Sequence, residues 1–428
     1  MKEKKYHLSP FILAAAIAVG TFAFAHAASA LDNAQVYGPK DGGIVLDQPM
    51  VVSGKASVNS VVWVWVDGKY VGKAAVQKTK NKKLKVNWFT FTYKKTIGVG
   101  NHTLETQVVK GTEKSEKVLQ RFSVPAKWRR KIDGMMVPTK VWNQLPFAVM
   151  VENTPAARPQ AGLGQASIVY ETLAEGGVTR FMAIFPQAIK PKLLGPVRST
   201  RPYYVDWAKE YDAIYLHAGG SQDALTEIGK LKMRSYDGLK KVGAKYYSRK
   251  CVGVHCLFTS AVQMDKLVKE KKLTAINAKS SDGWTFKNDI PLKSRPKHSK
   301  KLSIDFNGRT YFVQWQYDRK TNRYKRWNGY VMAKDKNTRK QITAANVLVM
   351  RIPKEKVLDK KLRLEFKLIG RGDATLYRDG KAIALRWWKK DKNSRTMYFI
   401  KGTQTPVEFN RGTTWVEVVP GARKVTYK

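Results

Sequence analysis

The chain has 428 residues, 43% hydrophobic and 11% aromatic, with 79 Lys and Arg against 33 Asp and Glu for a formal net charge of +46. That length exceeds one ordinary domain, and the apolar content suffices for packed cores, which excludes a wholly disordered chain. The charge favours attraction to polyanions, but no zinc-finger, helix-turn-helix or aromatic RNA-binding signature accompanies it, so no specific nucleic-acid partner is expected.

Residues 1–30 read as a secretory signal peptide. Lys2, Lys4 and Lys5 precede the apolar run "FILAAAIAVGTFAFA", and the small-residue sites "AHA" and "ASA" follow, with cleavage expected after Ala30. The run is near the short end for a membrane span, which leaves an uncleaved anchor as the alternative. No cysteine near the cleavage site offers a lipid acceptor. The expected address is extracytoplasmic, secreted or cell-surface associated. The leader accounts for +2, leaving +44 on the remaining chain. The expected charge-based partner is an anionic wall polymer or a membrane surface.

Residues 31–125 predict an all-β module. "VVSGKA", "SVVWVWVDGKYVGKA", "WFTFTYKK" and "HTLETQVV" alternate with period two, and Asp67-Gly68 marks a hairpin. Trp63 and Trp65, two apart, share one face of a strand. Core and carbohydrate-stacking surface are both open readings of that pair. The stretch "GVGNHTLETQVV" with the closing "RFSV" is similar to the late strands of bacterial immunoglobulin-like modules. That likeness implies a sandwich acting as spacer or adhesion module.

A proline-punctuated linker leads to a central segment, 131–300. "PFAVMVEN", "ASIVYETL", "TRFMAIF" and "AIYLHAGG" are strand candidates. "RPYYVDWAKEY", "SQDALTEIGKL" and "TSAVQMDKLVKEKK" carry helical spacing. The alternation predicts an α/β or α+β domain. Cys251 and Cys256 in "CVGVHC" read equally as a disulfide and as two buried thiols; with only His255 beside them they make a poor metal site. From 301 to 428 the period returns to two, with hairpin signals at Asn307-Gly308, Asn328-Gly329 and Asp379-Gly380, predicting a mostly antiparallel β domain. The fold class is therefore multidomain.

Three constellations carry candidate chemistry. The first, "VENTPAARPQAGLGQASIVYETLAEGGVTR", gathers Asn153, Arg158, Glu171, Glu175 and Arg180. Glu171 and Glu175 at glycine-flanked strand ends predict either a carboxylate pair for acid–base work or an Arg–Glu network that fixes strand ends. The second, "GPVRSTRPYYVDWAKEYD", places Arg198 and Arg201 before Pro202, at a helix start suited to anions. Asp206, Glu210 and Asp212 are the acids that would pair with them if the group is structural. The third, "HAGGS", puts His217 at a strand end before a helix capped by Ser221, and His217 is a candidate general base.

The central and C-terminal segments resemble the YerB-like family of bacterial extracytoplasmic proteins, often lipoproteins, a two-part domain of unknown function. The resemblance rests on "FAVMVENTPAARPQAGLGQASIVYETLAEGGVTRFMAIF", "GPVRSTRPYYVDWAKEYDAIYLHAGGS", "ANVLVM", "DGKAIALRWWKK" and "GTTWVEVVP". It covers residues 131–428 and implies an envelope location and a two-part architecture, but no established reaction.

The leading expectation is an envelope protein with a polar, arginine-rich pocket for an anionic or sugar-containing ligand. Asn153, Arg158, Arg198, Arg201 and Ser221 are its binding residues, and Arg180 and Asp206 are structural. The alternatives are a hydrolase of envelope glycan using Glu171, Glu175 and His217, and a non-catalytic interaction protein. No cofactor or metal is expected.

Overall fold

The computed structural model describes residues 31–46, 49–78, 87–273 and 283–428; the leader expected over 1–30 lies outside them. The protein is mostly β and divides into two compact units, Met1–Val124 and Pro125–Lys428.

In the first unit, Gln35–Gly38, Met50–Lys55, Asn87–Tyr93 and Gln77–Lys78 form a four-stranded sheet. A six-stranded sheet runs Gly43–Ile44, Val118–Val124, Gly100–Lys110, Val61–Val66, Lys69–Ala75, with Glu113–Lys114 paired to its third strand. Both sheets feed one core, with Val52 and Phe89 from the first meeting Val62, Val64, Leu104 and Phe122 from the second. Each such side chain removed from water contributes about 1.5–3 kcal/mol. The hairpin at Asp67-Gly68 has φ of 51° and 72° at its two central residues, the left-handed pair that such a turn requires.

The second unit is organised by a ten-stranded sheet. Its strands in chain order are β1 (Phe147–Glu152), β2 (Ile168–Leu173), β3 (Thr179–Phe185), β4 (Ile214–His217), β5 (Ser235–Asp237), β6 (Asn346–Ile352), β7 (Gly370–Arg378), β8 (Lys381–Lys389), β9 (Met397–Ile400) and β10 (Thr414–Pro420). The spatial order is β5-β4-β1-β3-β2-β10-β6-β7-β8-β9. Helices α1 (Pro202–Glu210) and α2 (Gln222–Lys230) connect β3 to β4 and β4 to β5; α3 (Lys241–Ala244) and α4 (Ala261–Glu270) follow. No described helix is long and apolar enough to cross a membrane.

Segments 131–300 and 301–428, expected as separate domains, each supply five adjacent strands to this one sheet and are joined edge to edge at the β2–β10 pairing. The reason lies in β10. Every residue of "TWVEVVP" is buried, and a strand covered on both faces belongs in the middle of a sheet. It runs parallel to β2 on one side and to β6 on the other. The rest of the C-terminal part forms an antiparallel sheet from Lys301–Asp305, Phe312–Asp318, Arg323–Asn328, Val331–Met332, Thr343–Ala344 and Val425–Tyr427. Trp315 from that sheet and Trp415 from β10 meet edge-on at 5.2 Å, inside one continuous core.

Candidate functional site

The site is built where β1 ends. Glu152 is the last residue of β1 and Asn153 follows it; both are buried. Their side chains enter different networks. Asn153 Nδ2 donates to Glu171 Oε1 at 3.2 Å and to Thr179 Oγ1 at 2.7 Å. Asn153 Oδ1 accepts from Arg158 Nε and from Gln160 Nε2, both at 3.0 Å. Arg158 Nη2 also donates to the carbonyls of Asn153 at 2.9 Å and Thr310 at 3.1 Å. The Arg158 guanidinium lies 5.4 Å from the Tyr311 ring centroid. Partial burial lowers its pKa from the ordinary value. None of the described carboxylates forms an ion pair with it; every acceptor it has is a neutral oxygen.

Arg158 opens onto a cleft of ≈ 740 Å³. Gln160, Arg309, Thr310, Asn328 and Lys334 supply its polar lining, and Val331 and Met332 give it an apolar lip. Three cations and no acid line it.

Behind Asn153 lies a sealed cluster. Glu171 on β2 and Glu417 on β10 occupy paired positions on adjacent parallel strands. Arg326 bridges them, with Nη2 to Glu171 Oε2 at 2.5 Å and Nη1 to Glu417 Oε1 at 2.9 Å. Trp315 Nε1 donates to the same Glu417 oxygen at 2.8 Å. The three ionisable side chains are at most 1% exposed. Burial, and then the neighbouring Glu171 carboxylate, push Glu417 up to about 8 against the partial relief from Arg326. Glu417 is therefore the carboxyl group of the cluster that favours its protonated form.

On the other side of the β1 end, Glu152 Oε2 accepts from His255 Nδ1 at 2.7 Å and faces Arg198 Nε at 3.2 Å, while Oε1 accepts from Thr154 Oγ1 at 2.9 Å. His255 belongs to the loop closed by the Cys251–Cys256 disulfide, so those cysteines are paired. Its side chain is 34% exposed, and Nε2 has no partner among the described residues.

The N- and C-terminal domain models of a family described as "Protein of unknown function (DUF3048)" match residues 133–274 and 302–416. A relative from Bacillus subtilis (strain 168), named "Putative lipoprotein YerB", is 30% identical over 305 residues, 70% of this chain and 90% of the relative. The chain belongs to the DUF3048, or YerB-like, family. The crystal structure of the YerB protein from Bacillus subtilis aligns with a TM-score of 0.61 and 28% identity, over 70% of this chain and 100% of that one.

In this DUF3048 chain the expected pairing of Glu171 with Glu175 does not form. Glu171 faces Glu417 and Arg326, whereas Glu175, after the end of β2, is gripped by Arg180 and Arg201. Arg201 Nε donates to Glu175 Oε2 at 2.9 Å and its Nη2 contacts Oε1, which Arg180 Nη2 meets at 3.1 Å. Burial works to raise the Glu175 pKa, but the two guanidinium groups outweigh it and hold it at about 2. Arg201, expected in the pocket, is therefore neutralised in this network. His217 is corrected as a candidate base. Its ring is buried, Nδ1 bonds the Gly219 carbonyl at 2.9 Å and Nε2 the Ser235 hydroxyl at 2.7 Å, so neither nitrogen is free, and burial lowers its pKa. Ser221 caps α2, accepting from the Ala224 amide at 3.4 Å. Asp206 does not pair with Arg198 or Arg201; it sits on α1, raised to about 6 chiefly by burial. Glu210 pairs with Lys389 and Asp212 with Arg234. Arg309, Arg326, Lys334 and Glu417 were missed. A single Glu inside the apolar run "TWVEVVP" is the signal that would have found Glu417, since a lone acid there needs a buried partner.

Proposed function

We propose that the protein is an extracytoplasmic, envelope-associated binding protein whose cleft around Arg158 takes a small anionic ligand, a phosphate or carboxylate carried on a sugar or other partly apolar body. Support for the address comes from the leader-like N-terminus and from the lipoprotein named among its relatives. The single observation that carries the ligand is the state of Arg158. A partly buried guanidinium held only by neutral oxygens has no carboxylate in direct contact, Glu171 acting on it only across Asn153, and a bidentate oxyanion supplies the missing contact. Arg309 and Lys334 add positive charge, and Val331 and Met332 offer apolar surface. Under this reading the first unit serves as an immunoglobulin-like spacer or adhesion module, supported by its two sheets around one core, and the surface charge holds the protein to anionic wall polymer or membrane.

The test is calorimetric titration of the full chain with inorganic phosphate and with glucose 1-phosphate. Binding to wild type, lost in Arg158→Ala and kept in Arg201→Ala, is the expected result. Equal binding by wild type and Arg158→Ala sinks the assignment of the cleft.

A hydrolase is the second reading, moved from Glu171, Glu175 and His217 to His255. The observation in its favour is a half-exposed imidazole oriented by a buried carboxylate, with Arg198 beside it, an arrangement suited to a general base. Release of 4-nitrophenol from 4-nitrophenyl phosphate or 4-nitrophenyl acetate, abolished in His255→Gln, is its test; no release by wild type ends it.

A further inference from the structure

The sheet face that carries Trp63 and Trp65 has no role in the reading above. The strand Val61–Val66 alternates, with Val62, Val64 and Val66 buried in the core and Val61, Trp63 and Trp65 partly exposed. Both tryptophans therefore point away from the core, on the outer face of the six-stranded sheet. Tyr70, directly opposite Trp65 on the neighbouring strand, is 52% exposed. The three rings form one group, with centroids 6.1 Å apart for Trp63–Trp65, 5.8 Å for Trp63–Tyr70 and 5.5 Å for Trp65–Tyr70.

Cations surround them. Lys117 Nζ lies 4.2 Å from the Trp65 centroid and Lys114 Nζ 5.2 Å from that of Trp63. Lys73 is paired across the strands with Trp63, and Arg121 with Thr103 on the same sheet. Two acids lie beside it: Glu105, opposite Trp65, which Lys117 already pairs with at 2.8 Å, and Asp67, which lines a cleft with Arg121 and is held by His102 at 2.8 Å. Exposed aromatic surface ordinarily has a partner, and one ringed by ammonium groups fits a partner with apolar faces and negative charge.

We propose that this outer face is a binding site for an anionic polysaccharide, sugar rings packing on Trp63, Trp65 and Tyr70 while Lys73, Lys114, Lys117 and Arg121 meet the acidic groups. The proposal rests on the polyanion attraction read from the charge and makes it specific. The interplanar angles argue against a stacked nucleic acid. At 55°, 68° and 66° the rings offer no parallel faces for consecutive stacked bases. Separate sugar residues of a chain can each lay a C–H face on a single ring, which needs no run of parallel rings.

The experiment follows tryptophan fluorescence of the full chain during titration with alginate, a soluble polyuronate. Dextran, inorganic polyphosphate, single-stranded oligothymidylate and phosphatidylglycerol vesicles are the comparison ligands. Saturable binding of alginate is expected, weakened about tenfold or more in W63A/W65A, a loss on the scale of a pair of aromatic contacts. Tyr70→Ala, at the more exposed ring, gives an intermediate loss and guards against a folding defect in the double variant. Alginate binding that is salt-sensitive yet unchanged in Tyr70→Ala and in a folded W63A/W65A overturns the site and leaves only charge attraction. Absence of binding to alginate and polyphosphate alike overturns both. Tryptophan-dependent binding of vesicles or oligothymidylate without alginate binding overturns the choice of ligand.

Discussion

Two arginines stand on one line of hydrogen bonds and behave as opposites. Arg158 reaches Asn153, Asn153 reaches Glu171, and Glu171 is held by Arg326. Arg326 is sealed between two carboxyl groups and two tryptophans, its guanidinium 5.1 Å from the Trp315 ring and 4.3 Å from that of Trp415. Arg158, at the other end, faces a cleft and touches only neutral oxygens. The comparison teaches that counting arginines in a polar cluster says little about binding. What decides is whether carboxylates already satisfy the guanidinium. By that criterion Arg180, Arg201 and Arg326 are bound to carboxylates, and Arg158 is the one to which the proposed ligand falls.

The largest effect expected is in the sealed region. Arg326→Met strips the cation from between two buried acids, and losing one partner of such a group costs about 3–5 kcal/mol. Urea denaturation at pH 7 measures it; a loss near zero breaks the comparison. Next comes Arg201→Ala, which leaves Glu175 to Arg180 alone and is expected to cost about 1–3 kcal/mol without affecting phosphate binding. Because the folded-state pKa of Glu175, about 2, lies below the ordinary 4.5, its contribution is present above pH 4.5 and is lost as pH falls toward 2. The variant should therefore show a shallower acid decline than wild type between those limits.

Glu417→Gln is a subtler probe. With the native carboxyl favouring its protonated form, an amide of the same shape is expected to stay within about 1 kcal/mol of wild type at pH 7. The folded-state value, about 8, lies above the ordinary 4.5. The stability contributed by the bound proton is thus complete below pH 4.5 and lost as pH rises through about 8. Wild type should weaken across that interval and Glu417→Gln should not, so the variant becomes the more stable protein at pH 9. Parallel curves would mean that Glu417 is ionised in the fold. The smallest change in stability is expected for Arg158→Ala, within about 1 kcal/mol, because its removal strands no buried carboxylate. A drop as large as that for Arg326→Met would erase the distinction between the two regions.

Local features were readable from sequence. The strand alternation of the first unit, the hairpin between β7 and β8 at Asp379-Gly380 and the serine cap of α2 all follow from neighbours in the chain. Glu171 was legible as an acid at the end of an apolar strand, open to a carboxylate pair or to an Arg–Glu network. Its partners were not, because Arg326 is 155 residues away, and spacing carries no information about pairing over such a distance. The register of "RYKRWN" was a second obstacle. The strand buries Tyr324, Arg326 and Asn328 and turns Arg323, Lys325 and Trp327 outward. A pattern reading that buries Trp327 inverts every side chain of the strand and hides Arg326 on the surface. His255 was legible as a histidine but not as a partner of Glu152, which lies 103 residues earlier.

The position of β10 has a consequence for how the protein is made. Its seven residues lie between β2 and β6, and Thr172 on β2 bonds a β10 carbonyl 246 residues further along the chain. Ribosomes deliver chains from the N-terminus, so β2, although Tyr170 can already stack on Trp207 of α1, waits with its β10-facing hydrogen-bonding edge unpaired until Thr414–Pro420 has been released. Long-range pairings of this kind form slowly, and unfinished sheet edges aggregate. A chain shortened before Thr414 lacks the strand joining the two halves of the sheet. It would not be a smaller working protein but an arrested intermediate with an adhesive edge, and a cell producing it would meet the consequences as precipitation and proteolysis rather than as partial activity.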